Sequence, residues 1–424
     1  MVLGTISDNI GLGGAGKHMM IGYNEVSSIE RMVVAMPKIA NRVANMSTTI
    51  FKEINVYAAQ YDTVNLGQGK PDFDGPKEML DAAIQSMLDG TANQYAPGYG
   101  APILLQSIAH HAQKYYDLDI DPQEGIVVTS GAAEGVYAAI TGIVNEGDEV
   151  ILIEPFFDTY LPAIEWAGGK PVFVPMHPPS WTFDFDDLRA AFNPNTKAII
   201  LNSPHNPTGR VFTHEELTLI ADLCKEFDVI VISDEVYEHL TYDNTRHIPI
   251  ATLPDMFERT ITVSSGAKTF SMTGWKIGWA MGHPDLIKGV WRIHQNLTFA
   301  VNHPAQYGIA HGLSMDGTYY EDLNEMYLGK RQIIMNGLIN AGIKVDYAPS
   351  GAFYIMGDFS DVYDGTDRDF AKWLIREYGV ACIPPSYFFS EAHAHIAQKH
   401  ARFSYCKNDD SLYAAVERLA KLKG

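Results

Sequence analysis

From Val64 onward, short uninterrupted apolar runs alternate with stretches of helical period. Strands are predicted at 126–129, 150–153, 197–201, 229–232 and 260–263, with helices between them, as at 132–144 and 215–227. Apolar runs without polar alternation are buried on both faces. The predicted fold class is therefore α/β, with a large domain whose mostly parallel central sheet is covered by helices. After about Asn324 the pattern changes to a long helix, then short strands at 352–356 and 402–406 with flanking helices. Together with the segment from about Ser28 to Pro71, this predicts a small α+β domain built from both chain ends. The expected partition is a flexible arm over 1–30, small domain over 31–75, large domain over 76–323, and the rest of the small domain over 324–424. No internal repeat is evident.

In open parallel sheets, ligands sit beyond the carboxyl ends of the strands. The informative polar residues follow predicted strand ends: Ser130-Gly131, Glu154-Pro155, Asn202, Asp234 and Ser264-Ser265. That coincidence predicts one shared site.

The totals narrow the chemistry. The 424 residues are 46% hydrophobic, enough for a large core, and the formal charge of −20 argues against a nucleic-acid or anionic-membrane partner. Three scattered cysteines without a CxxC pair (Cys224, Cys382, Cys406) suit reduced thiols in a cytoplasmic protein. No run is long and apolar enough for a transmembrane helix, and the N-terminus lacks the pattern of a secretory signal. The segment Gly11-Leu12-Gly13-Gly14-Ala15-Gly16-Lys17 satisfies GxGxxG, but no strand precedes it and His18 stands where a phosphate loop needs Ser or Thr. It is read as linker.

The richest segment is Ser264-Ser265-Gly266-Ala267-Lys268-Thr269-Phe270-Ser271-Met272-Thr273-Gly274-Trp275-Lys276. Two lysines bracket a turn rich in hydroxyls and glycine, which suits a phosphate monoester beside a carbonyl. One amine can condense with an aldehyde while hydroxyls, backbone N–H groups and the second ammonium hold the phosphate. This segment resembles the cofactor-lysine motif of fold-type I, class I/II aminotransferases that use pyridoxal 5′-phosphate. The nearest likeness is to the kynurenine aminotransferase and cysteine-S-conjugate β-lyase group, and it runs from about Val64 to the C-terminus. It implies that Lys268 carries the cofactor as a Schiff base and that Ser265 and Lys276 bind its phosphate.

Other motifs agree. In Val231-Ile232-Ser233-Asp234-Glu235-Val236-Tyr237, an Asp ending a buried strand is costly unless it meets a cation, and a pyridinium N–H is one. The resemblance gives Asp234 to the ring nitrogen and Tyr237 to the phenolic oxygen, with Glu235 and Glu238 structural. In Asn202-Ser203-Pro204-His205-Asn206-Pro207-Thr208-Gly209 it gives Asn206 to the cofactor and Asn202 to the neighbourhood of the substrate carboxylate, and no role to His205. Ala132 and Ala133 open a helix and offer backbone N–H groups to the phosphate. Phe157 aligns with the aromatic that stacks on the ring, and Phe156 is expected in the core. Tyr95 matches a tyrosine that reaches the neighbouring subunit's phosphate, which implies a homodimer with composite sites. Arg402 and Gly69 would hold the substrate α-carboxylate, a geometry guanidinium suits.

His393, His395 and His400 near Glu391, and likewise His110-His111, are expected on exposed polar helices, with no metal. Lys70, Ala133, Met272 and Ala300 depart from residues common in the kynurenine group. The expected activity is amino transfer between an L-amino acid and a 2-oxo acid, favouring an aromatic or uncharged donor because no second substrate arginine is evident. A β/γ-lyase, replacement or carbon–carbon bond-forming enzyme is the alternative. A non-catalytic regulator and a nucleotide binder fit the motifs less well.

Overall fold

The computed structural model describes residues 39–44 and 48–423; the expected arm, with its glycine motif, lies outside them. Asn41–Ala44 is a single helical turn with no buried residue.

Twelve strands follow in the unit that begins at Ser47: β1 (Val64–Asn65), β2 (Ile126–Thr129), β3 (Glu149–Glu154), β4 (Lys170–His177), β5 (Thr182–Phe183), β6 (Thr196–Asn202), β7 (Ile230–Asp234), β8 (Thr260–Ser265), β9 (Gly278–Gly282), β10 (Tyr354–Asp358), β11 (Val380–Ala381) and β12 (His400–Ser404). Eight form one sheet in the order β2-β9-β8-β7-β6-β3-β4-β5. The run from β4 to β8 is parallel, as the unbroken apolar sequences require; β9 runs against both its neighbours, and β5 against β4. The α/β class and every predicted strand of the large sheet hold.

Helices cover both faces. Ala132–Ile143 packs on Pro284–Leu297 so closely that a Cβ on Gly142 would lie 2.9 Å from the Gly289 backbone. His214–Phe227 begins with a capping box, Thr213 and Glu216 exchanging hydrogen bonds with each other's backbone N–H.

The chain ends share a core. Ile50, Ile54 and Leu66 pack with Leu338, Phe353, Phe370 and Leu412. β1 pairs with β11 in parallel and β10 with β12 antiparallel. The long helix, Gly317–Asn340, begins upstream of Asn324, where the sequence pattern suggested a change.

Two expectations fail. The segment holding His393 and His395 is not a polar helix but a short 3-10 turn (Ala394–Ala397), and His400 opens β12. Burial of a distant acid decides this: Glu154, fully buried at the end of β3, accepts hydrogen bonds from the Ser390 N–H and from His393 Nδ1 (2.5 Å). His111 does lie on a helix, Pro102–Tyr116, but is buried, its Nε2 2.6 Å from that of His239.

Candidate active site

Register fixes the site. Asn202 lies opposite Asp234 at the ends of β6 and β7, Asp234 opposite Val263 in β8, and Ser265 opposite Gly278 where β9 begins. β2 ends at the same edge, with Thr129 opposite Gly278. Side chains distant in sequence therefore converge on one cavity of about 380 Å³. It is lined by Lys268, Asp234, Tyr237, Ala132, Ala133, Phe157, Asn206, Ser265, Lys276, Arg402, Asn202 and Gly69. Of the predicted site residues, only Tyr95 does not line it; that side chain is 80% exposed.

The floor is held by strand ends. Asp234 is buried, and its Oδ2 accepts a hydrogen bond from the Tyr160 hydroxyl at 2.6 Å. Burial pushes its carboxyl up to about 6, partly offset by the Tyr160 bond. The acid is thus costly as an anion until a cation meets it. Asn202 donates from Nδ2 to the Asp234 carbonyl (2.9 Å) and accepts the Asn206 N–H on Oδ1 (2.8 Å). Its amide thereby braces the two strand ends. The Tyr237 hydroxyl lies 2.9 Å from that of Tyr354.

Lys268 sits in a single helical turn, Gly266–Thr269, directly after β8. Its Nζ donates to the Gly69 carbonyl at 3.0 Å. Burial lowers its basicity, and the nearby Arg402 and Lys276 charges add to that, against Asp234 and Cys406. A buried amine with a depressed pKa spends more time as the free base, the form that attacks a carbonyl.

The opposite wall is an anion cradle. Gly131 adopts φ +76° before the helix Ala132–Ile143, and a Cβ there would lie 3.2 Å from Lys276 Nζ. No side chain caps this helix, and Glu134 reaches back to accept the Ser130 N–H. The first-turn N–H groups, Lys276 and Ser265 therefore face a common space, which fits a phosphate.

Arg402 completes the cavity. It is 1% exposed; Nη1 donates to Asn206 Oδ1 (2.9 Å), Nη2 to the Gly67 carbonyl (2.5 Å), and its guanidinium stacks over the Tyr354 ring at 4.4 Å. Nε has no partner although it is buried. Burial lowers its pKa, yet an arginine stays charged. A buried cation with an unused donor fits a carboxylate.

Tyr160 and Tyr354 escaped the sequence reading. Each supports a predicted residue through its hydroxyl, but tyrosines are common and nothing local marks these two. The four departures divide. Lys70 and Ala133 line the cavity; Met272 packs beside the Gly75 backbone, and Ala300 follows Phe299 in a turn outside it. Glu238, expected to be structural, accepts from Ser264 and Tyr116 hydroxyls at 2.6 Å each.

A parallel-sheet edge that gathers a buried lysine, an acid at a strand end, an anion-cradling helix and a buried arginine defines a site for a phosphorylated aldehyde and an amino acid. Comparison with known proteins agrees. Residues 61–419 match the aminotransferase class I and II family, and the chain belongs to it. It is 39% identical to a kynurenine–oxoglutarate transaminase of Dictyostelium discoideum, over 94% of this chain and 99% of that one. The solved N-succinyldiaminopimelate aminotransferase of Mycobacterium tuberculosis superposes with TM-score 0.86 at 41% identity, covering 91% of this chain and all of that one. A methionine aminotransferase of Escherichia coli superposes with TM-score 0.87 at 36% identity, with the same coverage. The protein is a pyridoxal phosphate-dependent transaminase of fold type I. Among the described residues no helix is long and apolar enough to cross a membrane.

Proposed function

We propose that this cavity is the catalytic centre, with Lys268, Asp234 and Tyr237 as its catalytic residues, and that it moves an amino group from an aromatic or uncharged L-amino acid to a 2-oxo acid. The observation that carries the reading is the convergence of Lys268, Asp234 and Arg402 on one cavity from sequence positions far apart. When bound, pyridoxal phosphate supplies an aldehyde that exchanges amines and a ring that takes up the electron pair released at the substrate Cα.

This chain's residues do the rest. Lys268, whose basicity burial lowers, stands where it would take the proton from Cα and hold it for return. Asp234 keeps a proton on the ring nitrogen, because a buried carboxylate is satisfied there by a cationic N–H. Tyr237 and Asn206 hold the ring's phenolic oxygen, and Tyr354 orients the Tyr237 hydroxyl. Phe157 packs on the ring face. Ala132, Ala133, Ser265 and Lys276 hold the phosphate. Arg402, with the Gly69 backbone and Asn202 beside it, binds the α-carboxylate and so fixes which Cα bond faces Lys268.

We further infer a cytoplasmic homodimer with composite sites. Tyr95 does not line its own chain's cavity, and it meets Phe299, itself 60% exposed, edge-on at 5.3 Å. Two large aromatics side by side on a surface suit an interface. The buried, unpaired cysteines agree with a reducing compartment.

The test is a screen of amino donors against a panel of 2-oxo acids, with mass spectrometry of the products. Amino transfer yields the donor's oxo acid and the acceptor's amino acid. Ammonia with an unsaturated or cleaved product would instead assign the site to elimination or replacement.

A further inference from the structure

We propose that Lys70 is a specificity-determining residue, its ammonium at the mouth of the cavity recognising the distal carboxylate of an acidic 2-oxo acid. The proposal rests on the transaminase reading and adds the class of the acceptor substrate.

The charge inventory leads to it. Among the described lining residues there are four cations, Lys268, Lys276, Arg402 and Lys70, against one carboxylate, Asp234. This excess of positive charge sits in a chain of net charge −20. Three cations have tasks: Lys276 faces the phosphate cradle at Gly131, Arg402 the α-carboxylate, and Lys268 the reacting carbon. Lys70 is left over. Some lysines of the chain pair with acids, as Lys330 does with Asp409 and Lys399 with Asp364. Among the described residues, no acid pairs with Lys70 and no hydrogen bond uses its Nζ.

Position argues the same way. The Gly69 carbonyl touches Lys268 Nζ at 3.0 Å, so Lys70 begins one residue from the reactive amine. Its backbone is pinned: the Lys70 carbonyl accepts Lys407 Nζ at 2.6 Å, and the Asp72 carboxylate accepts the Asn408 N–H (2.5 Å) and the Ser411 hydroxyl (3.3 Å). Lys407 and Asp72 are thereby committed elsewhere, whereas the exposed Lys70 side chain makes no such bond. A flexible stem carrying a point charge can meet a second carboxylate when the acceptor is acidic. It returns to water at little cost when the donor is uncharged, because Lys70 is exposed. One cavity can thus serve both partners of the exchange, with the α-carboxylate on Arg402 each time.

The test uses the holoenzyme, wild type against Lys70→Gln and Lys70→Arg, with two readouts. Calorimetry compares the binding of glutarate with that of valerate, a monocarboxylate of equal chain length. Steady-state kinetics compare 2-oxoglutarate with 2-oxohexanoate. The expected result is that Lys70→Gln lowers the dicarboxylate-to-monocarboxylate ratio about fivefold in both readouts, through KM in the second, while Lys70→Arg keeps it. Added salt should erode the wild-type ratio. A ratio unchanged by Lys70→Gln overturns the proposal. If no oxo acid accepts an amino group, the transaminase reading fails on its own, and the glutarate arm still decides the role of Lys70.

Discussion

The floor and the mouth of the cavity are built differently. At the floor, Asp234, Asn202 and Ser265 end adjacent strands, and strand register sets their spacing. Tyr160 and Tyr354 lock their neighbours with hydroxyl bonds at 2.6 and 2.9 Å. At the mouth, Lys70 is exposed and unpaired, and Tyr95 and Phe299 lean on each other outside the cavity. A scaffold of buried strand ends fixes chemistry to within a fraction of an ångström, whereas exposed loops leave room for a family to change substrates. Of the departures, Lys70 and Ala300 fall on loops, whereas Ala133 lines the cavity in the first turn of a helix.

The largest effect expected is at the floor. Lys268→Ala should lower turnover about ten-thousandfold, since on the proposed reading it removes both the attachment point and the general base. Single-turnover kinetics check this; residual activity within about tenfold of wild type would erase the distinction between floor and mouth.

Asp234→Asn should cost roughly a thousandfold in kcat while keeping cofactor through the phosphate cradle. It also has a pH signature in the cofactor-free protein. The Asp234 carboxyl is raised by burial to about 6, so the folded state holds a proton that the unfolded chain releases near 4. Folding stability should therefore fall as pH rises from about 4 to about 6, by up to about 3 kcal/mol. A carboxamide cannot ionise, so Asp234→Asn should flatten that slope and melt higher above pH 6. Melting temperature against pH reads it directly, and parallel curves for the two proteins would show that Asp234 is not a strained acid.

Next comes Arg402→Lys. One ammonium cannot reproduce a guanidinium that already holds Asn206 and Gly67, and kcat/KM for any amino acid should fall about a hundredfold. Kinetics with two donors of different side chain sharpen the point, because the loss should be alike for both.

The smallest effect is expected from Tyr95→Phe, a few-fold weakening of cofactor binding, and its location is better tested by complementation. A heterodimer pairing Tyr95→Glu with Lys268→Ala gathers both defects in one site and leaves the other intact. Activity should reappear on co-expression. No rescue in verified heterodimers would return Tyr95 to its own chain.

The legibility of the sequence follows the same division. Strands such as Val150–Ile153 and the site residues at their ends were readable, because burial on both faces writes itself as unbroken apolar runs. β4 was not, since Pro171 and Pro175 argue against a strand inside a sheet. β9 was hidden by the glycines at its two ends, Gly278 and Gly282; a Cβ at Gly278 would lie 2.6 Å from the Ala132 nitrogen. The errors at His111 and His393 came from partners 128 and 239 residues away. Helical period reports which face is apolar, and it carries no information about a buried acid or imidazole on another element.

The central claim is that Lys268, and no other lysine of the cavity, holds the cofactor. Reducing the holoenzyme with borohydride, digesting it and sequencing the peptides by mass spectrometry tests this most directly. The account predicts the phosphopyridoxyl mass on the peptide carrying Lys268 alone; finding it on Lys276 or Lys70 would contradict it.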